Sequence, residues 1–185
     1  MEKKSLRKEI RARAELLSYE YKSCASKEIQ KRLIESSAFK TADKIFIYVA
    51  TEKEPDTSLI ISEALKCGKK VFVPKCIDKG IMIPVKIDEE TKFSEGFMGI
   101  REPLIYNKNL PVPDIDLAVI PCVSANKNGN RLGHGGGFYD IFLSENKMTK
   151  ICLCFNELLH DDIPTDEKDI QMDTVITEKE VFYCK

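Results

Sequence analysis

The chain has 185 residues, 43% of them hydrophobic, with 29 basic and 30 acidic side chains. That composition fits one globular domain with a sizeable core and excludes a disordered chain. A net charge of −1 argues against bulk nucleic-acid binding, and no apolar run approaches the roughly 20 residues of a membrane helix.

The opening segment predicts a basic helix over residues 3–17. Leu6, Ile10, Ala14 and Leu17 recur at helical spacing, while Lys3, Arg7 and Arg11 form a basic stripe with Lys4 and Lys8 beside it. Residues 1–13 carry six basic and two acidic side chains, a local excess of +4. No apolar signal core follows these charges, so a cytoplasmic protein is expected. Ser18 is placed to cap a second helix that runs to about Ser36, with Ala25, Ile29, Leu33 and Ile34 turned inward. Residues 45–49, Ile-Phe-Ile-Tyr-Val, read as a strand buried on both faces of a parallel sheet. Asp56 or Thr57 can cap the next helix over 58–66, which Gly68 ends. Glu54 has no such capping role. It lies past the C-terminal end of a strand, where open α/β sheets hold their ligands.

Residues 71–74 predict the next strand, and 81–87 an edge or antiparallel strand, because Pro84 cannot donate to a ladder. Residues 93–103, with Phe97 and Met98 between glycines, read as a loop. The apolar runs 117–121 and 151–155 are further buried strands, and 174–177 closes the sheet. Residues 126–129, Asn-Lys-Asn-Gly, form a turn. The seven cysteines include no CxxC pair; Cys152 and Cys154 share one strand face, and all read as buried free thiols without a zinc site. Strands and helices alternate without a repeat or linker. The expected fold is α/β: a single three-layer domain over 1–185, with a mostly parallel sheet flanked by helices and the N-terminal basic helix beside it.

Five of the nine glycines fall within residues 128–140, NGNRLGHGGGFYD, between a strand and a helix. Such a loop can aim bare N–H groups at an anion, and a helix start adds its own unpaired amides. Arg131 supplies a fork of donors for phosphate or carboxylate. Asp140 supplies a hard oxygen of the kind Mg²⁺ takes. The pattern is neither a Walker A loop nor the dinucleotide fingerprint. Residues 157–173 carry seven acidic side chains and one lysine, a local −6, from which Asp169, with or without Asp173, can face a metal alongside Asp140.

NGNRLGHGGGFYD resembles the signature of the 5-formyltetrahydrofolate cyclo-ligases. KKSLR in the first helix, EPDT after the first strand, GIREP midway and IPTDEKDIQMD near the end extend that resemblance over nearly the whole chain. The resemblance implies ATP and Mg²⁺ as cofactors and 5-formyltetrahydrofolate as a small-molecule substrate. It implies that Lys3, Lys4 and Arg7 reach the ATP phosphates together with Arg131, Gly133, His134, Gly135, Gly136, Gly137, Phe138 and Tyr139. It puts the folate on Val49 and Glu54, with Arg7, Met98, Gly135, Gly137 and Phe138 beside it. It favours Asp140 and Asp169 as metal ligands, and makes Arg131 and Asp140 the catalytic pair. No nucleic acid or membrane partner is expected, and a monomer or weak dimer is. Two other readings compete: an α/β enzyme that binds a phosphate without turning over ATP, and a non-catalytic nucleotide or RNA binder acting through the basic helix.

Overall fold

The computed structural model describes residues 2–78, 80–96, 99–108 and 111–184. Its elements in chain order are α1 (Lys3–Glu15), α2 (Tyr19–Glu35), α3 (Ser37–Thr41), β1 (Lys44–Ile47), α4 (Ser58–Lys66), β2 (Lys70–Asp78), β3 (Ile81–Ile87), β4 (Phe93–Glu95), β5 (Arg101–Pro103), β6 (Leu117–Ile120), β7 (Ser124–Ala125), β8 (Arg131–Leu132), α5 (Phe138–Ser144), β9 (Thr149–Leu153), β10 (Thr174–Ile176) and β11 (Val181–Tyr183), with a 3₁₀ turn over Asn156–Leu158. A seven-stranded sheet runs in the order β11-β10-β9-β6-β1-β2-β3. Its five central strands are parallel, and the two edge strands, β11 and β3, are antiparallel to their neighbours.

The apolar runs become these central strands because both faces are covered. Ile45, Phe46, Leu117, Val119, Cys152 and Val175 are all buried. Phe46 of β1 stacks on Phe142 of α5 with ring centroids 4.6 Å apart, while α4 packs on α2. The chain leaves β1 through α4 toward β2, and leaves β6 through α5 toward β9, in opposite directions along the sheet. Right-handed crossovers then place the two connections on opposite faces. Such a switch point places the expected ligand crevice past the carboxyl ends of β1 and β6.

Ser18 caps α2 by accepting from the Tyr21 amide at 3.1 Å, and Pro84 lies in the edge strand as expected. Other expectations need correction. The first helix ends at Glu15, so Leu17 packs on the core from outside it. Thr57 does not cap α4 with its side chain; its hydroxyl donates to the Tyr48 carbonyl, and Asp56 instead accepts from the Ser58 amide. Residues 93–103 are not simply a loop, since β4 and β5 pair there in a small antiparallel hairpin. The sheet is closed by β11, not by β10. Cys122, Cys152 and Cys154 are buried, but Cys24 and Cys67 are exposed; all seven thiols are free. Among the described residues, no helix is long and apolar enough to cross a membrane.

Gly129 tips the turn between β7 and β8 with φ at +85°, and a Cβ there would come within 2.4 Å of the Met172 carbonyl oxygen. Gly129→Ala is therefore expected to destabilise the fold by at least the roughly 1–3 kcal/mol of a strained backbone conformation. A thermal or urea melt would show it.

Candidate functional site

The glycine loop hangs between two anchors. The first is the β7–β8 ladder, in which Ala125 faces Arg131 and the Val123 amide donates to the Leu132 carbonyl. This short ladder, read as loop from the sequence, buries Arg131 until only 4% of its side chain is exposed. The second anchor is the start of α5, where Gly137 caps the helix with φ at +71°, a conformation that side chains with a Cβ rarely adopt. Arg131 Nη2 donates to Asp140 Oδ1 at 2.6 Å and ties the anchors together. The guanidinium also lies 5.9 Å from the Tyr139 ring centre. Between the anchors, His134, Gly135, Gly136 and Gly137 are exposed and Gly133 and Phe138 are half-buried. Helix α5 is only seven residues long, so the loop amides contribute more to any anion site than the helix dipole does.

The basic stripe of α1 lies along this loop. Leu6 and Ile10 are fully buried and fix the helix against the core. Arg7 Nε then donates to the Gly133 carbonyl at 2.7 Å, and Arg11 Nη2 to the His134 carbonyl at 3.4 Å. A Cβ on Gly135 would lie 3.5 Å from the Arg7 guanidinium carbon. One turn earlier, Lys3 Nζ reaches Asp169 Oδ2 at 2.5 Å and Asp166 Oδ2 at 2.6 Å. Lys4 is exposed. The structure thus brings Lys3, Arg7, Arg131, the glycines, Asp140 and Asp169 into one neighbourhood.

The two predicted metal ligands are adjacent: the Ile170 amide, next in chain to Asp169, donates to Asp140 Oδ1 at 3.3 Å. Each is paired with a cationic side chain, Asp140 with Arg131 and Asp169 with Lys3. No group of three or more metal-type side chains occurs among the described residues. Two carboxylates beside an anion loop nevertheless fit Mg²⁺, which is held by one or two carboxylates together with substrate phosphates. Arg131 Nε is buried without a partner among the described residues, a spare donor that suits an anion-binding role. Asp173 does not join this group. It accepts from the Lys150 amide at 2.7 Å and pairs with the Lys150 ammonium where β9 and β10 begin.

Across the crevice, Glu54 is 9% exposed. Its Oε2 accepts from both the amide and the hydroxyl of Thr51, each at 2.9 Å, and its Oε1 faces His134 Nε2 at 3.1 Å. Val49 is half-buried and packs against the core. Burial, with Glu54 adding to it, pushes the Tyr139 hydroxyl well above its ordinary pKa, so the phenol stays a neutral donor. Phe97 and Met98 lie outside the described residues.

Sequence reasoning missed Asp166, Thr51 and Glu102. Asp166 shares the Lys3 ammonium, and Thr51 aims Glu54. Glu102, 3% exposed, accepts from the Cys76 amide at 3.0 Å and the Lys75 ammonium at 2.9 Å, binding the β4–β5 hairpin to β2. Burial and then Glu102 push the Cys76 thiol up to about 11. The GIREP motif contains Glu102, but nothing in the string shows which strand it meets.

Burial opposes the Lys3 charge, but its bonds to Asp166 and Asp169 outweigh that and hold its pKa above the ordinary lysine value of 10.5. The bond from Lys3 holds Asp166 below 3.8. A raised lysine pKa stabilises the folded state below 10.5, and a depressed aspartate pKa stabilises it above 3.8. The latch between α1 and residues 166–169 is therefore expected to persist from about pH 4 to beyond pH 10 and to loosen in acid. Carboxyl titration by NMR should place Asp166 below 3.8, and Lys3→Ala should bring it back up.

The chain and its fold have counterparts among known proteins. Residues 1–178 match the model of the 5-formyltetrahydrofolate cyclo-ligase family. The chain is 33% identical to a probable 5-formyltetrahydrofolate cyclo-ligase of Caenorhabditis elegans over 97% of its own length and 94% of the relative's. It is 29% identical to the 5-formyltetrahydrofolate cyclo-ligase of Mus musculus, over 95% and 93%. The NMR structure of the Aquifex aeolicus 5,10-methenyltetrahydrofolate synthetase superposes with a TM-score of 0.84 at 28% identity, covering 100% of this chain and 94% of that one. Family model, relatives and fold agree: the chain belongs to the 5-formyltetrahydrofolate cyclo-ligase family and is a ligase.

Proposed function

We propose that this chain converts 5-formyltetrahydrofolate to 5,10-methenyltetrahydrofolate, consuming ATP with Mg²⁺ and releasing ADP and phosphate. Family membership and relatives named for the cyclo-ligase support the folate reaction. The observation that carries the phosphoryl chemistry is the docking of the α1 basic stripe on the exposed glycine loop, through Arg7 to Gly133 and Arg11 to His134. A structural helix would need only Leu6 and Ile10. The cations turned onto a loop of bare amides are what a polyphosphate requires.

The substrate sets the problem. The formyl group on N5 is an amide, so resonance makes its carbon a weak electrophile and its oxygen a poor leaving group. Transfer of the γ-phosphoryl group to the formyl oxygen solves both difficulties. N10 then attacks the formyl carbon, phosphate departs with the oxygen, and the five-membered ring closes. Phosphoryl transfer asks of a protein mainly positioning and charge neutralisation. On this reading the amides of residues 133–139 and Arg131 hold phosphate oxygens, while Lys3, Lys4 and Arg7 screen the remaining charge. Asp140 and Asp169 would hold Mg²⁺, which would supply neutralisation of the phosphate charge. Val49, Glu54, Gly135, Gly137, Phe138 and Arg7 would face the folate, with Glu54 accepting from the pterin N–H groups. No nucleophilic side chain is needed, and the raised pKa values of the buried Cys122 and Cys152 thiols fit that. The exposed loop and the acidic pair also favour this reading over a phosphate binder without a cation, because two carboxylates alone would repel phosphate.

Incubation with 5-formyltetrahydrofolate and Mg-ATP should produce the methenyl chromophore together with equimolar ADP and phosphate. Arg131→Ala and Asp140→Ala should each lower that turnover by at least roughly 100-fold, the scale of losing an electrostatic contact to the reacting charge. Full turnover in either variant would remove that residue from the site. Phosphate release without the chromophore would leave a nucleotide-hydrolysing enzyme of another substrate.

A further inference from the structure

We propose that His134 acts as an internal stand-in for the folate's N–H donors, occupying the one open oxygen of Glu54 until the substrate displaces it. The inference rests on the reading of Glu54 as the pterin-binding carboxylate. A carboxylate offers about four lone-pair positions. Both on Oε2 are taken by Thr51, through its amide and its hydroxyl. Any further donor must therefore land on Oε1, which already faces His134 Nε2 at 3.1 Å. A carboxylate only accepts, so Nε2 carries the hydrogen. One incoming N–H could sit beside the imidazole. The paired N–H groups of a pterin edge need both positions on Oε1, and the imidazole must leave.

The surroundings permit that departure. The His134 side chain is 41% exposed, whereas that of Glu54 is 8% exposed, so the imidazole moves into solvent at little cost and the carboxylate stays. The backbone does not have to follow, because Arg11 and Arg7 hold the carbonyls of His134 and Gly133. His134 is thus a positioning residue for Glu54: it keeps a nearly buried acceptor answered in the free enzyme and admits only a ligand that can answer it better.

The sign of the effect separates this role from an ordinary contact. In His134→Ala the free enzyme is left with an unanswered buried acceptor that the folate repairs. The variant should bind 5-formyltetrahydrofolate roughly fivefold more tightly than the wild type, the factor carried by one net hydrogen bond. His134→Gln keeps a donor at similar reach and should return the affinity toward the wild-type value. Isothermal titration of 5-formyltetrahydrofolate into the three proteins reads this directly, with superimposable circular-dichroism spectra to certify the fold. Equal or weaker binding by His134→Ala overturns the stand-in role and leaves the substrate reading intact. A wild type that binds no 5-formyltetrahydrofolate overturns the substrate reading, and this inference with it.

Discussion

The site depends on the ion pair between Arg131 and Asp140. A guanidinium with 4% exposure is tolerated only when its charge is answered, and Asp140 answers it at 2.6 Å. The pair also fixes geometry. It joins the end of a two-residue ladder to the first turn of α5, so the intervening segment must bulge outward as a loop of exposed backbone. Removing either partner would leave the other charge without its counterion and would release one anchor of the loop. The same two residues therefore shape the site and, on the proposed reading, serve its chemistry.

Helix α1 shows the same double use. Its apolar stripe ends in Leu6 and Ile10, both fully buried, and its polar stripe ends on the loop and on residues 166–169. Deleting the arm would open the core as well as the site, so point changes at Lys3 or Arg7 separate the two roles better than truncation. The arm's local excess of +4 and the −6 of residues 157–173 were visible as opposite runs in the string. In the fold they meet, through Lys3 to Asp166 and Asp169 and through Arg13 to the Glu157 carbonyl. A net charge near zero hides two strong local fields that face each other.

What the sequence made legible follows a physical rule. Buried parallel strands announce themselves because both faces must be apolar, hence β1, β6 and β9; an edge strand announces itself where Pro84 is tolerated. Ladders of two or three residues, β4 with β5 and β7 with β8, carry no periodicity and so leave no signal in the string. Arg131, Asp140 and Glu54 stand out because charged side chains in glycine-rich or strand-end positions lack an obvious structural task, whereas only the family resemblance singles Asp169 out of its acidic run. Their partners did not stand out. Lys3 and Asp169 are separated by 166 positions and Glu54 and His134 by 80, and only the chain path through the sheet brings each pair together. Asp173 shows the converse: an acidic residue near the right segment whose oxygen is spent on the Lys150 amide.

The groups past β1 and β6 are already partnered. Lys3 lies on Asp169, Arg131 on Asp140, and His134 against Glu54. A ligand cannot simply add charge to such a site; it must exchange partners. A polyphosphate alone would draw Arg131 and Lys3 away from carboxylates that would then face it unanswered. A divalent cation alone would claim Asp140 and Asp169 and strand the two side-chain cations. On the proposed reading the two together would answer these groups at once, phosphate oxygens taking the guanidinium and ammonium and the metal the carboxylates. On the proposed reading, this pairing in the free enzyme would select the metal–nucleotide complex over either component. A phosphoryl-transfer site needs such selectivity, and here it would come from pairings that first serve to hold the loop in place.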